Sequence, residues 1–431
     1  MLHDGIGVDQ NRDSHGAVPQ ASAASPLLKT SLAVLVLLLL TAPACAGEMA
    51  SPPPPASPAP HFDVTTHTPE FFGPGREDPA PRDLDEVLLG WFGPDDPAHP
   101  LGGRMWLAAS LAVEDANRGG GYEGRPFRLV SSWSKNPWGT GIADLARHVY
   151  EYGVWGIVGA PDDASAHLVE QVVTKARIPF LSPVSTDNTT NLTNVPWIFS
   201  LAPSDKRLAS ALAPAIVSRL RHGDLAIVSS ADRNARRFTG ELLSALEGLQ
   251  TFPAAHLVFS PGGSDLSVPL QRLSETGPTV VALVAGAEDS ARFLIALRYA
   301  GLTMPVIGGP AMGDGHFVEA AGPCAIGVVF PLLWHPTIAG DRSAAFAQRF
   351  RERFDKEADY SAAFTYDAVR MLIAAVDEAG LNRARIRDRL REISPRPGVS
   401  GTIDWDPTGR NQAPVPLGTI LDGSVAPITA E

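Results

Sequence analysis

The residue types that most often carry catalysis or bind metals occur in this chain, but not at spacings that would let them act together. Its eleven histidines are scattered without the spacing of metal ligands. No GxSxG, HExxH or P-loop motif is present. The glycine-rich stretch RGGGYEG (118–124) follows a predicted helix instead of a strand, which argues against a phosphate-binding loop. We therefore expect no enzymatic activity, no bound metal and no cofactor.

Two short polar segments are better candidates, and their chemistry is that of binding. The segment SPVSTDN (182–188) begins where an apolar run of strand length ends, and free backbone N–H groups beside hydroxyls form a donor set for a polar ligand. A turn with no ligand role is the alternative. The segment GAPDDAS (159–165) precedes a predicted helix. Asp163 or Ser165 either caps that helix or contacts a ligand that is cationic or carries hydroxyl groups.

These segments must be positioned by the strands and helices around them. From Asp83 onward, short apolar runs alternate with segments in which apolar residues recur every three to four positions. This alternation predicts βαβ units and parallel sheets, and ten runs within about 350 residues fit two doubly wound sheets better than one. Ligands of such sheets bind beyond the carboxyl ends of the strands. The runs are 87–93, 127–133, 154–160, 178–183, 197–203, 225–231, 255–260, 279–286, 305–310 and 326–332.

Length and composition fit a globular protein of two domains. The 431 residues exceed what one hydrophobic core normally serves, and 44% hydrophobic with 19% charged residues exclude a disordered chain. A net charge of −12 and the lack of a basic cluster argue against a nucleic-acid partner. The two cysteines, Cys45 and Cys324, exclude a disulfide framework and a cysteine-based metal site.

The amino-terminal segment has the layout of an export signal. Lys29 precedes the apolar run Leu32–Leu40, which is followed by small residues and is too short for a spanning helix. We expect a signal segment over 1–46 and a proline-rich disordered linker over 47–81. Cleavage after the signal would release a free protein, whereas Cys45 is similar to a bacterial lipoprotein acceptor. We favour this lipid anchor as the only contact of the chain with a membrane.

Several motifs, taken in their order along the chain, carry a resemblance to a known family. They are LAVEDANRGGGYEGRPF, GIVGAPDDASA, IPFLSPVST, FSLAPSD, RYAGLTMPVIGG, YDAVRMLIAAVDEAG and GVSGTIDWDPTG. On these motifs the chain resembles the periplasmic-binding-protein type I superfamily, specifically the substrate-binding proteins of branched-chain amino acid ABC transporters. The resemblance runs from about Val87 to Leu417.

The resemblance implies an α/β fold of two Rossmann-like doubly wound lobes joined by three crossover segments. The first lobe would comprise 83–202 plus 334–398, and the second 206–331 plus 402–426. The lobes would close on a ligand by hinge motion. The implied crossings lie near Pro203, near Pro331–Trp334 and near Gly398–Gly401.

The resemblance also implies where a ligand would bind. Members of the family hold a zwitterionic ligand with hydroxyl and backbone donors for its carboxylate and an acidic group for its ammonium. Matched by position, the donors of the first lobe fall in 159–165 and 182–188, and the second lobe offers one aromatic ring. The implied ligand-binding residues are Asp163, Ser165, Val184, Ser185, Thr186, Phe238, Gly286 and Pro310.

The chain departs from the family where the charge of the ligand is recognised. Asp163 stands where the family has serine, and an ionised carboxylate repels a ligand carboxylate. Pro310 stands where the ammonium-binding acid falls, and Asp314 is displaced nearby. For Arg236 and Arg237 we favour a solvated charge over the alternative, a contact with the ligand. The ligand is therefore not expected to be a branched-chain amino acid held in the usual way, and amides, aromatic acids, urea-like compounds and polyols remain open.

The predicted function is capture of a small polar molecule, either an amino acid, an amide or a related solute, for delivery to an ABC permease. The location that follows is outside the cytoplasm, in the periplasm or on the outer face of the cell membrane. Two alternatives share the fold. One is a ligand sensor, and the other is a degenerate member that binds an envelope protein.

Overall fold

The computed structural model describes residues 71–134, 137–191, 195–221 and 223–428. The expected signal segment, Cys45 and the linker as far as residue 70 lie outside these residues. Throughout the described part, none of the helices is both long enough and apolar enough to cross a membrane.

The first five strands form a sheet that is parallel throughout. They are β1 (Val87–Phe92), β2 (Phe127–Ser131), β3 (Ile157–Gly159), β4 (Phe180–Ser182) and β5 (Ile198–Ser200). Their order in the sheet is β2-β1-β3-β4-β5, so the direction of winding reverses between β1 and β3. In doubly wound sheets the loops at this reversal diverge to opposite faces and leave room for a ligand.

The second sheet is built from seven later strands. The strands of this half of the chain are β6 (Leu225–Ser230), β7 (Ala255–Phe259), β8 (Val280–Val284), β9 (Val306–Gly308), β10 (Val329–Pro331), β11 (Arg396–Pro397), β12 (Thr402–Ile403), β13 (Leu417–Leu421) and β14 (Ser424–Pro427). The order in the sheet is β14-β13-β10-β9-β8-β6-β7, with a reversal between β6 and β8 that matches the first sheet. Strands β11 and β12 pair only with each other.

Helices cover both faces of each sheet. They are α1 (Gly103–Arg118), α2 (Pro137–Tyr150), α3 (Asp163–Ala176), α4 (Asp205–Leu220), α5 (Arg233–Gly248), α6 (Ser267–Thr276), α7 (Ala287–Tyr299), α8 (Gly315–Ala321), α9 (Asp341–Phe354), α10 (Tyr360–Ala379) and α11 (Arg383–Glu392). Helices α1 and α10 share one core with the first sheet, while α2 and α3 share another on its opposite face. Two separate cores flank the second sheet in the same way. Strands buried on both faces are apolar at nearly every position, as observed in β8.

The sequence prediction of strands and helices is confirmed, and beyond it the structure has the short β11–β12 pair and one addition to the second sheet. Each of the ten apolar runs contains a strand, and the two-lobed α/β architecture is as predicted. The addition is an antiparallel hairpin of β13 and β14, which extends the second sheet beside β10. Asp422 and Gly423 form its two-residue turn, with φ of 49° and 76°. Such a turn needs positive φ at both positions, which Asp-Gly tolerates.

The third crossing between the lobes lies later than we expected. We expected it near Gly398–Gly401, with the second lobe resuming at residue 402. Trp405 instead packs in the core of the first lobe, where its ring centroid lies 5.6 Å from that of Phe199. Val415 is the first residue after it to pack in a core of the second lobe. The chain therefore changes lobe between Trp405 and Val415.

Hydrogen bonds of Asn411 join the third crossing to the first one. Its backbone N–H donates to the carbonyl of Ser200 at 3.0 Å, and its side-chain Nδ2 donates to the carbonyl of Leu201 at 2.8 Å. Its Oδ1 accepts from the backbone N–H groups of Asp404 and Ala413, each at 3.1 Å. Two crossings thus lie side by side and form one hinge region.

The described part of the chain begins at Phe71, within the expected linker. Phe71 is 2% exposed, and its ring centroid lies 5.0 Å from that of Trp197. Its backbone N–H donates to both carboxylate oxygens of Asp388 at 3.2 Å. The Nδ2 of Asn382 donates to three backbone carbonyls within residues 75–78. Residues 71–78 therefore pack on the first lobe.

Candidate functional site

The carboxyl ends of the two sheets face one cleft between the lobes. Its cavity volume is about 590 Å³, within the range of small-molecule sites. No group of three or more His, Cys, Asp or Glu side chains in the described residues is arranged to hold a metal ion. The cleft is lined by residues that follow the strands, among them Leu101 after β1, Asp163 after β3, Thr186 after β4, Phe238 after β6, Gly286 after β8 and Pro310 after β9.

Two consecutive aspartates end the loop after β3, and their roles differ. Gly159 and Ala160 have φ of 131° and 67°, so the chain turns sharply where β3 ends. Asp162 then caps α3, because its carboxylate accepts from the N–H of Ser165 at 2.7 Å. The Ser165 hydroxyl returns the contact by accepting from the N–H of Asp162 at 3.2 Å. Asp163, the first residue of the helix, is left facing the cavity.

The Asp163 carboxylate is half-buried and has hydroxyl and amide partners only. Its Oδ1 accepts from the Ser185 hydroxyl at 2.6 Å and from the N–H of Asp187 at 3.4 Å. Burial raises the pKa of Asp163, and although the Ser185 hydroxyl opposes this shift, the charge of Asp187 adds to it. No Lys, Arg or His of the described residues forms an ion pair with it. Its negative charge is therefore not balanced by an ion pair within the described residues.

Asp205 contributes another carboxylate to the cavity. It is the first residue of α4 and is 5% exposed. Its backbone N–H donates to the carbonyl of Thr186 at 2.7 Å, which joins α4 to the segment 182–188. Burial raises the pKa of Asp205 to about 7; the Thr186 side chain favours the charged form, but the charges of Asp163 and Asp187 add to the rise. A buried acid with so perturbed a pKa, lying in a cleft, is a candidate functional residue.

The neighbouring Asp187 is neutralised by three cations. Its carboxylate lies 3.1 Å from Nε2 of His167 and 3.7 Å from Arg233, and it forms a short ion pair with Arg237. Burial alone would raise the pKa of Asp187, but hydrogen bonds from His167 and Thr189 hold it well below its usual range. The same hydrogen bond raises the pKa of His167 to about 9. Arg237, which we expected to be solvated, therefore links α5 of the second lobe to the first lobe.

The second lobe supplies an apolar wall. Phe238 is 3% exposed and lines the cavity beside Val284. Gly286 is the N-cap of α7, and Pro310 opens a short 3-10 helix, so neither contributes a ring or a charge. Asp314 does line the cavity, but its carboxylate caps α8. A ligand in the cleft would therefore meet the hydrocarbon of Phe238 and Val284 beside aspartates of both lobes.

Comparison with known sequences identifies the family to which this architecture belongs. Residues 89–424 match the sequence profile of the family described as periplasmic binding protein. The chain belongs to the periplasmic binding protein family. The matched range includes both sheets except for the first two residues of β1 and the last three of β14, and it contains every residue named above as lining the cleft.

Individual relatives agree with this assignment. This periplasmic binding protein is 22% identical over 329 residues to an amino acid binding protein of Pseudomonas aeruginosa, which covers 76% of this chain and 87% of the relative. A branched-chain amino acid transporter substrate binding protein of Streptococcus pneumoniae, solved with isoleucine, superposes with a TM-score of 0.69 at 19% identity and covers 80% of this chain and 100% of its own. A leucine binding protein of Thermotoga maritima gives the same score and identity, with coverage of 80% and 98%. These structures share the fold.

The structure brings six of the eight predicted ligand-binding residues of this periplasmic binding protein to the cavity wall. Ser165 and Ser185 are not at the wall, because they are 2% and 3% exposed and their hydroxyls hold Asp162 and Asp163 in place. Contact of the other six with a ligand stays a prediction. Those six are Asp163, Val184, Thr186, Phe238, Gly286 and Pro310.

Among the residues of the cavity wall that sequence reasoning missed are Asp205 and Tyr360. Asp205 had a usable signal, since it follows β5 as the other candidates follow their strands. Tyr360 had none, because it begins α10 after a cap at Asp359, about 150 residues further along the chain than Asp205. Burial raises the pKa of Tyr360, so its phenol stays protonated at neutral pH and can donate a hydrogen bond into the cavity.

Proposed function

We propose that this periplasmic binding protein captures a small polar solute in the cleft between its lobes and delivers it, outside the cytoplasm, to an ABC permease. The observation that supports the proposal is one cavity of about 590 Å³ at the carboxyl ends of both sheets. A ligand there contacts both lobes at once, so its binding energy favours the closed arrangement.

The ligand class proposed is that of amino acids, amides and related polar solutes. The relatives described above carry names that assign them amino acids, leucine or isoleucine. The cleft of this chain differs in that Asp163 occupies the segment 159–165, where a ligand carboxylate would meet a like charge. We therefore propose a ligand other than a branched-chain amino acid bound with its carboxylate against that segment.

A thermal-shift screen of the purified protein against amino acids, amides, amines and polyols tests capture. A true ligand supplied at roughly 100 times its dissociation constant adds roughly 2.7 kcal/mol to the free energy of unfolding. We expect one chemical class to raise the melting temperature by several degrees. A screen in which no compound does so contradicts the proposal.

Two matched variants locate the binding in the cleft. Phe238→Ala should remove most of the ligand-induced shift, because Phe238 forms the apolar wall. Phe252→Ala removes a ring that is 65% exposed and outside the cavity, and it should keep the full shift. Delivery to a permease is tested in cells. Cells that lack the protein should lose uptake of the identified solute. Unchanged uptake would contradict delivery to a permease but not capture of the solute.

A further inference from the structure

Every charged side chain that lines the cleft is an aspartate. Six aspartates contribute to the wall of the cavity, and no Lys, Arg or His among the described residues does so. Clefts lined by one sign of charge concentrate ligands of the opposite sign. Whether these aspartates have structural partners decides how much of that charge is available to a ligand.

Four of the six aspartates are engaged in the fold. Asp162, Asp232 and Asp314 cap the N-termini of α3, α5 and α8. Asp289 forms an ion pair with Arg292. The caps also matter for anions, since a free helix N-terminus attracts negative charge. At α3, α5 and α8 that position is already filled by a carboxylate of the protein.

The two remaining carboxylates, Asp163 and Asp205, have no cationic partner among the described residues. Asp163 accepts from the Ser185 hydroxyl, and the Thr186 side chain supports Asp205. The charge of Arg237 acts on Asp205, but its guanidinium forms an ion pair with Asp187. Both carboxylates line the same cavity, and each acts on a common neighbour, Asp187.

The N-terminus of α7 does not reverse this charge balance. Gly286 caps α7 without a side-chain hydrogen bond, so its backbone N–H groups could receive an anion. The first turn of the helix, however, contains Glu288 and Asp289. A ligand carboxylate placed there would meet two like charges within one helical turn.

We infer that the cleft selects a solute with a positively charged group, an ammonium or amidinium, seated at Asp163 and Asp205, with its apolar body against Phe238. This inference rests on the proposed capture function and names its substrate class. A cation there balances the charges of two carboxylates and adds charged donors to the hydroxyl and amide donors that they already have. A zwitterion of the same shape brings a carboxylate into a cavity that offers it no positive side chain.

Four probes with one branched body separate charge from shape. They are isopentylamine, a cation; leucine, a zwitterion; isocaproamide, which is neutral; and isocaproate, an anion. Isothermal titration should show isopentylamine binding at least roughly tenfold more tightly than leucine, because the carboxylate of leucine meets aspartates and no positive side chain, and about 1.4 kcal/mol corresponds to tenfold. Isocaproate should bind most weakly. Leucine binding as tightly as isopentylamine, or no binding by isopentylamine, overturns the inference.

Charge-removing variants test the two carboxylates directly. Asp163→Asn and Asp205→Asn should each weaken isopentylamine roughly tenfold to hundredfold while leaving isocaproamide within about threefold, which also shows that the variants fold. Asp341→Asn removes the same charge from an exposed position of α9 outside the cavity and should change neither value. Equal weakening of the amine and the amide would contradict a role in recognising charge.

The affinity for isopentylamine should also rise with pH. The pKa of Asp205 is about 7, so deprotonation creates one of the two charges between about pH 6 and about pH 8, while an alkylammonium stays protonated. The groups that face Asp205 are Asp163, Asp187, Thr186 and Arg237. Asp205→Asn should flatten the profile, and a wild-type profile that is already flat counts against the inference. If any of these tests fails but the thermal-shift screen finds another ligand, the proposed capture function stands and only the inference about charge is wrong.

Discussion

Asp187 is the residue at which the two lobes are held together by charge. Its carboxylate is fully buried and receives His167 from its own lobe and Arg237 from the second. His167 contacts Glu170 as well, through Nδ1 at 3.0 Å, so both ring nitrogens face carboxylates. An imidazole in this position is stable only when both nitrogens carry protons.

The pH dependence of folding should therefore contain a signature of His167. Its folded pKa is about 9 and its unfolded value is about 6.5, so its contribution to stability is fully present below about pH 6.5 and is lost as the pH rises to about 9. Urea unfolding at a series of pH values should show His167→Gln less stable than wild type at low pH, with the difference vanishing above about pH 9. Asp187→Asn should remove most of this pH dependence. A difference in unfolding free energy between wild type and His167→Gln that grows with pH would contradict the prediction.

For individual residues of the candidate site, the sequence could indicate where they lie but not which groups they contact. Segments 159–165 and 182–188 were recognisable because polar residues directly follow apolar strand-length runs. Which aspartate caps a helix and which faces the cavity depends on the turn at Gly159 and Ala160, which have two consecutive positive φ angles. Tyr360 reaches the cavity only through the packing of α10, which no local pattern encodes.

Among the secondary-structure elements, the hinge region depends on Asn411. Its side chain accepts from Asp404 and Ala413 and donates to Leu201, while being 3% exposed. Asn411→Ala should lower the free energy of unfolding by about 2–3 kcal/mol, because several buried backbone groups lose their partner. Gln412→Ala, at the exposed neighbouring position, should stay within about 0.5 kcal/mol of wild type in the same denaturant titration. Equal effects of both variants would show that Asn411 has no special role.

The elements themselves were predictable because helices cover both faces of both sheets. Apolar runs such as Val280–Val284 are buried at every position, so their pattern survives in the sequence. The third crossing was misplaced because glycines at 398 and 401 resemble a flexible connection. The long-range contact of Trp405 with Phe199 decides its place, and a contact between distant residues leaves no local signal.

For the whole molecule, the ion pair of Asp187 with Arg237 opposes opening of the cleft. Arg237→Ala should shift the ligand-free protein towards open forms, and its radius of gyration in small-angle X-ray scattering should rise. Ligand affinity should fall in proportion, since the closed form is less populated. Arg236→Ala removes a charge from an exposed neighbouring position and should leave the scattering unchanged. A radius that stays constant in Arg237→Ala would show that packing, not charge, holds the lobes.

The docking of residues 71–78 gives the two lobes unequal mechanical roles. The residues that contact 71–78 all belong to the first lobe. They are Trp197, Asn382 and Asp388. A pull on the chain before Phe71 would therefore act on the first lobe, at β5 and α11, and would not act on the hinge region. If the lobes close on a ligand as proposed, the second lobe is the one that moves relative to this attachment.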